Sequence, residues 1–181
     1  MRFRPCIDIH NGKVKQIVGG SLRDEGDSAS TNFSSEKGAA FYAELYRKDH
    51  LSGGHIILLN PASSKYYKKT KEQALDALKA YPGGLQIGGG ITAENASEYL
   101  SAGASHVIVT SYVFSGGVFR KENLERLVHT VGKERLVLDL SCRRKDDSYY
   151  VVTDRWQKFT QVRVTPETLD RLAGYCDEFL I

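Results

Sequence analysis

Short apolar runs recur along this chain, each followed by residues at helical spacing, and that alternation restricts the fold more than any single motif does. The runs occupy residues 4–9, 55–59, 85–87, 106–110, 135–140 and 177–181. Helical patterns fill the intervals. One lies at 36–48, with Ala39, Tyr42, Ala43 and Tyr46 on one face. Another opens at Thr70, where Gln73 three residues on makes a capping-box pattern, and presents Ala74, Ala77 and Leu78 for burial. A third spans 93–102, and a fourth carries Leu124, Leu127, Val128 and Val131 before closing at Gly132. A fifth starts at Thr165-Pro166, a cap followed by proline at the first helical position. A second extended piece, 13–18, follows the first run, and the polar stretch 21–35 reads as a long loop.

Strand, helix and strand repeated without a hairpin-dominated section imply a parallel sheet covered by helices. Strands that are apolar throughout are expected where both faces are buried. An open doubly wound sheet and a (β/α)8 barrel both satisfy this pattern. Counting favours the open sheet, because six strands cannot complete an eight-stranded barrel of about 250 residues. The motifs favour the barrel.

Composition narrows the function. A chain of 181 residues, 41% hydrophobic and 26% charged, is long enough for one ordinary globular domain. Its net charge of +3 suits an anionic small molecule, and the spread of Lys and Arg gives no nucleic-acid patch. The basic run 65–71, interleaved with Tyr66 and Tyr67, reads as a solvated loop and helix start. Cys6, Cys142 and Cys176 form no CxxC pair and are odd in number, which argues against a disulfide framework and structural zinc. No stretch reaches the roughly 18 apolar residues of a membrane span, and residues 1–5 lack a signal-peptide core. The expectation is a cytoplasmic protein, or a plastid one if a plant-like source has removed a transit peptide.

Two aspartates stand out. Asp8 and Asp139 are single carboxylates near the C-terminal ends of otherwise apolar strands, and a polar turn and another extended segment follow each. Four βα units separate them. In a barrel, strands one and five lie opposite each other, so the pair would face across the mouth as an internal half-barrel repeat. Two carboxylates so placed can divide acid and base work. A strand-end aspartate that merely bonds backbone is the alternative for either one alone.

Gly88-Gly89-Gly90 follows the third strand and precedes a helix capped near Thr92. Glycines admit a close backbone approach, and a helix start offers free N–H groups to a phosphate; a tight turn is the plainer explanation. The triplet does not match the dinucleotide fingerprint. Thr110 and Ser111 end the fourth strand and could complete a phosphate cradle, and Gly19-Gly20 is a weaker candidate of the same kind. His10, His55 and His106 lack metal-ligand spacing and read as structural or substrate-orienting. Nothing beside Cys142 is placed to activate it as a nucleophile.

Four segments, "RPCIDIHNGKVKQIVGG", "LQIGGGI", "ASHVIVTSYVF" and "RLVLDLSCRRKDDSYYVVTDRWQKF", together resemble the eukaryotic phosphoribosylformimino-aminoimidazole carboxamide ribotide isomerases of histidine biosynthesis. The resemblance runs in order over 2–181. The cyclase subunit of imidazole glycerol phosphate synthase is a sister family with the same barrel and aspartates, less similar after each aspartate. The resemblance implies an Amadori rearrangement of a bis-phosphorylated aminoaldose to a ketose, with no cofactor and no metal. It implies Asp8 as general base and Asp139 as general acid, with the two roles exchangeable. It places Gly90 and Ser111 in a phosphate grip, adjoined by Gly89 and Thr110, and Trp156 in a loop over the substrate.

That family's barrel continues for about two more βα units, whose glycine loops hold the second phosphate. The expectation is therefore an incomplete TIM barrel of about six strands and five helices. One half-barrel would span 1–132, and a second would start at 133–181. Strand one would lack its closing neighbour, exposing an edge prone to self-association. A catalytically inactive phosphate-binding or self-associating module is the competing function, and a cyclase-like activity the other. Neither nucleic acid nor membrane is expected as a partner.

Overall fold

The computed structural model of the chain describes residues 3–18, 20–23, 26, 28–153 and 158–181. They form two compact units, Met1–Gly89 with Glu98–Ser105, and Gly90–Ser97 with His106–Ile181.

The first unit holds β1 (Cys6–His10), β2 (Lys13–Ile17), β3 (Thr31–Ser34), α1 (Ala39–Lys48), β4 (Gly54–Leu58), α2 (Tyr67–Ala80) and β5 (Leu85–Gly88). Its strands run in the order β5-β4-β1-β2-β3. β4 is parallel to both β1 and β5, whereas β1, β2 and β3 form an antiparallel meander. The two helices pack on each other and on β1. Ala39 and Ala43 of α1 and Ala74, Ala77 and Leu78 of α2 are buried, as their spacing requires. A short helix, α3 (Ala96–Ser101), follows β5 and starts three residues later than its apolar pattern suggests. Ahead of it the chain is a turn, in which Asn95 Oδ1 accepts from the Thr92 N–H at 2.9 Å.

The second unit holds β6 (Val107–Val109), β7 (Phe114–Ser115), β8 (Val118–Phe119), α4 (Lys121–Val131), β9 (Leu136–Asp139), β10 (Cys142–Lys145), β11 (Ser148–Thr153), β12 (Lys158–Arg163), α5 (Pro166–Ala173) and β13 (Glu178–Leu180). Here β9 lies between β13 and β6, parallel to both. Thr165 caps α5 by accepting from the Thr168 N–H at 3.3 Å, with Pro166 next in the chain. All six apolar runs are thus parallel strands, and α1, α2, α4 and α5 each follow one of the predicted patterns.

Three expectations need correction. The polar stretch 21–35 is not only loop: Thr31–Ser34 is a strand, and every one of its residues is exposed, so no apolar pattern marks it. The chain also contains antiparallel sections, the β10-β11-β12 sheet and the β7-β8 hairpin. Their residues are mostly polar at one edge, as in Cys142–Lys145, and the apolar count passes over them. Finally, Thr70 does not cap α2. The helix starts at Tyr67, and both supposed capping groups serve tertiary contacts: Gln73 Oε1 accepts from the Ala39 N–H, and Thr70 is fully buried.

What Thr70 does instead sets the position of the β1–β2 turn. Ile9 pairs with Val14 and His10 with Lys13, which leaves a two-residue loop of Asn11 (φ 55) and Gly12 (φ 73). Two positive φ values make a type I′ turn, whose twist matches the flanking strands, and Asn-Gly is the pair that tolerates it. The Gly12 N–H donates to Thr70 Oγ1 at 3.0 Å, and Thr70 Oγ1 donates to Asn60 Oδ1 at 2.7 Å. Asn60 Oδ1 also accepts from the Asn11 N–H, and Asn60 Nδ2 donates to Asn11 Oδ1, both at 2.7 Å. Thr70→Val keeps the volume and removes this hub. It should cost about 1–3 kcal/mol by stranding the Gly12 N–H and leaving Asn60 Oδ1 with the Asn11 N–H alone, read as a lower urea midpoint; an unchanged midpoint would show that the network is dispensable.

Candidate active site

Side chains alternate across a strand, so Ile7 and Ile9, both buried, share one face of β1 while Cys6 and Asp8 share the other. The same alternation on β4 buries Ile56 and Leu58 and leaves His55 and Ile57 half-exposed. The two faces are therefore not equally covered here, contrary to the expectation from uniform apolarity. Asp8 lies beside Ile57 in the parallel register and is half-buried. Its Oδ1 accepts a hydrogen bond from Cys6 Sγ at 3.0 Å.

Asp8 opens into a cavity of about 360 Å³, lined also by Cys6, Lys15, Gln16, Tyr42 and Tyr46. The chemistry of this wall is shifted by its surroundings. Crowding, then the Asp8 charge and hydrogen bond, pushes the Cys6 thiol far above its ordinary range, although the residue as a whole is exposed. Burial, then Cys6 and Tyr42, raises the Tyr46 phenol. Burial, then neighbouring Lys13, lowers the Lys15 ammonium, whose Nζ lies 3.4 Å from His10 Nδ1. The wall holds weak acids kept neutral around one carboxylate.

Asp139, the last residue of β9, is placed differently. Oδ1 accepts from the Ser141 N–H at 2.9 Å and from Ser141 Oγ at 2.8 Å, while Oδ2 accepts from Thr110 Oγ1 at 2.8 Å. The bond to the backbone two residues on is an Asx turn, so the strand end itself builds part of the cradle. Three donors fix the plane of this carboxylate, against one on Asp8.

Thr110 and Asp139 are therefore brought together, through the very hydroxyl that the sequence suggests for phosphate. Ser111 is exposed beside it. Gly90 is exposed with φ 68, and its carbonyl accepts from Asn95 Nδ2 at 3.0 Å. Gly89 is required by packing: with φ 101, a Cβ there would lie 2.2 Å from the Leu58 carbonyl oxygen. Gly20 sits on an exposed loop, where its carbonyl accepts from Arg23. Gly19 and Trp156 lie outside the described residues. His106 Nε2 stands 3.2 Å from Asp177 Oδ2, a surface partner. Among the described residues, no group of three or more His, Cys, Asp or Glu is arranged to hold a metal ion, and no helix is long and apolar enough to cross a membrane.

Sequence reasoning passed over Ser141 and Lys15. Ser141 was signalled by an Asp-x-Ser at a strand end, an Asx-turn pattern, whereas nothing local marks Lys15. The Cys6–Asp8 contact has a direct consequence. Iodoacetamide should label Cys6 slowly at pH 8 despite its exposure, with a rate still climbing above the usual thiol range of about 8.5. Asp8→Asn should speed that labelling several-fold. A rate indifferent to Asp8→Asn would contradict the pairing.

A family model described as "Histidine biosynthesis protein" matches residues 2–181. A chloroplastic protein of Medicago truncatula, named as a 1-(5-phosphoribosyl)-5-((5-phosphoribosylamino)methylideneamino)imidazole-4-carboxamide isomerase, is 55% identical over 100% of this chain and 58% of its own length. Isomerases of the same name from Neurospora crassa and Saccharomyces cerevisiae are 49% and 42% identical, each over 99% of this chain and over 68% and 67% of their own lengths. The chain thus spans between about three-fifths and two-thirds of these relatives. With a match of this extent, the chain belongs to the histidine biosynthesis protein family, whose fold is the (β/α)8 barrel.

Proposed function

We propose that this protein catalyses the isomerisation named in its relatives, an Amadori rearrangement that converts a bis-phosphorylated aminoaldose to the corresponding aminoketose. The observation that carries the assignment is the unequal setting of two strand-end aspartates in a chain of this family. Asp139, as general acid, gives a proton to the ring oxygen while the C1–O bond breaks, leaving an open-chain iminium. Its three donors then stabilise the carboxylate left behind. Asp8, as general base, removes the C2 proton to give the enolamine and returns that proton to C1, while the C2 hydroxyl releases its own proton to solvent and becomes the ketone. With a single donor and a cavity before it, the Asp8 carboxylate retains lone pairs for that work. The ring oxygen and C1 each gain a proton while C2 and its hydroxyl each lose one, so no electrons enter or leave and the balance requires no cofactor or metal.

One phosphate of the substrate is assigned to Gly90 and Ser111, with Gly89 setting the loop. A positive-φ glycine and an exposed hydroxyl suit a phosphate oxygen. Gly20, Gly19 and Trp156 remain candidates for substrate contact. The half-barrel division at 1–132 and 133–181 belongs to the same proposal. Relatives in this family include a chloroplastic one, so a plastid fits a plant-like source and the cytoplasm any other.

Exposed Phe33 on β3 and Phe41 and Leu45 on α1 favour a second reading, self-association of the chain. Turnover by the 181-residue chain with the aminoaldose bisphosphate separates the two. Asp8→Asn and Asp139→Asn should each lower kcat by at least about a hundredfold while the urea midpoint stays near that of the parent. Near-normal turnover in either variant would sink the two-carboxylate mechanism. A concentration-dependent oligomer with no turnover would favour self-association.

A further inference from the structure

We infer that the proton Asp139 delivers is carried on Oδ2, and that Thr110 is the positioning residue that presents it. This inference rests on Asp139 being the general acid. The two carboxyl oxygens are not equivalent. Oδ1 faces the Ser141 N–H at 2.9 Å and Ser141 Oγ at 2.8 Å, and a backbone N–H can only donate. A proton on Oδ1 would leave one in-plane lone pair for the Ser141 N–H and would force Ser141 Oγ to turn from donor to acceptor. Oδ2 faces one hydroxyl, Thr110 Oγ1 at 2.8 Å, which both donates and accepts. A proton is therefore accommodated on Oδ2 with the three bonds kept, and on Oδ1 only by rearranging those from Ser141.

Thr110 occupies one lone-pair direction of Oδ2 and leaves the other for the substrate ring oxygen. Its hydrogen bond is weak while Oδ2 is a neutral O–H, and strengthens as the Oδ2–H bond breaks and the carboxylate charge develops. An interaction that grows along the reaction raises kcat rather than binding. The Thr110 hydroxyl, with its proton directed at Asp139, is then not a phosphate donor. That duty falls to its exposed neighbour Ser111 and to Gly90. Because Thr110 and Ser111 are adjacent at the end of β6, one short segment holds the anion and orients the acid.

Two measurements on the full chain test this. In steady-state kinetics, Thr110→Val should lower kcat on the order of ten- to a hundredfold with KM nearly unchanged, and Thr110→Ser, which restores the hydroxyl, should recover most of it. A raised KM with unchanged kcat in Thr110→Val would return Thr110 to the phosphate grip and overturn the inference. The second readout needs no turnover. An acid-titration infrared difference spectrum contains a protonated-carboxyl C=O band for Asp139, identified by its loss in Asp139→Asn. With the proton on Oδ2 the C=O oxygen is Oδ1, so Ser141→Ala should move that band to higher wavenumber and Thr110→Val should leave it in place. The reverse pattern would place the proton on Oδ1 and overturn the inference. Normal turnover by Asp139→Asn would instead show that Asp139 is not the acid, while the infrared pattern still decides where its proton sits.

Discussion

Burying Ile7 and Ile9 on one face of β1 commits Cys6 and Asp8 to the other, because successive side chains of a strand point to opposite sides. Each buried isoleucine contributes about 1.5–3 kcal/mol, so a one-residue register slip that buried Asp8 instead would lose that stabilisation and desolvate a charge. The apolar pattern thus fixes where the carboxylate emerges. The Asn11-Gly12 turn, held by Asn60 and Thr70, then folds β2 back so that Lys15 and Gln16 line the cavity with Asp8. Core packing and a buried polar network, rather than any bond to Asp8 itself, place this residue.

Asp139 shows the opposite solution to the same problem. A half-buried carboxylate at a strand end needs donors, and here local chain geometry supplies two of them through Ser141 while the neighbouring strand supplies Thr110. Its orientation is fixed by short, directional bonds. Asp8 has one weak thiol donor from a cysteine whose own ionisation is suppressed by crowding and by the Asp8 charge. Two residues that look alike in sequence therefore differ in what they can do: one is held in plane by three hydrogen bonds, the other keeps lone pairs directed at a cavity. That difference is the physical basis of the proposed division between acid and base.

The parts of this layout that depend on burial could be read from residue order alone. Six apolar runs are the six parallel strands, the Ala74–Ala77–Leu78 face packs inward, and Thr165-Pro166 starts a helix. What escaped depends on partners distant in sequence or on exposed backbone pairing. Thr31–Ser34 becomes a strand through its pairing with β2, with no buried residue to announce it. Thr70 has the spacing of a capping residue, yet its hydroxyl meets Gly12, 58 positions away. Thr110 stands where a phosphate ligand is expected, and only the fold reveals Asp139 opposite its hydroxyl. Asp8 and Asp139 stand out in the sequence because each is a lone charge inside an apolar run, but their unequal surroundings do not show there.

Hydrogen exchange on the ketose product tests the division of labour most directly. That compound is already open-chain, so removal of its C1 proton requires the base and not the ring-opening acid. In deuterium oxide, Asp139→Asn should still exchange the C1 protons at a rate close to the parent chain, while Asp8→Asn should not exchange them measurably above the uncatalysed background. Exchange retained in Asp8→Asn and lost in Asp139→Asn would contradict the assignment and reverse the two roles.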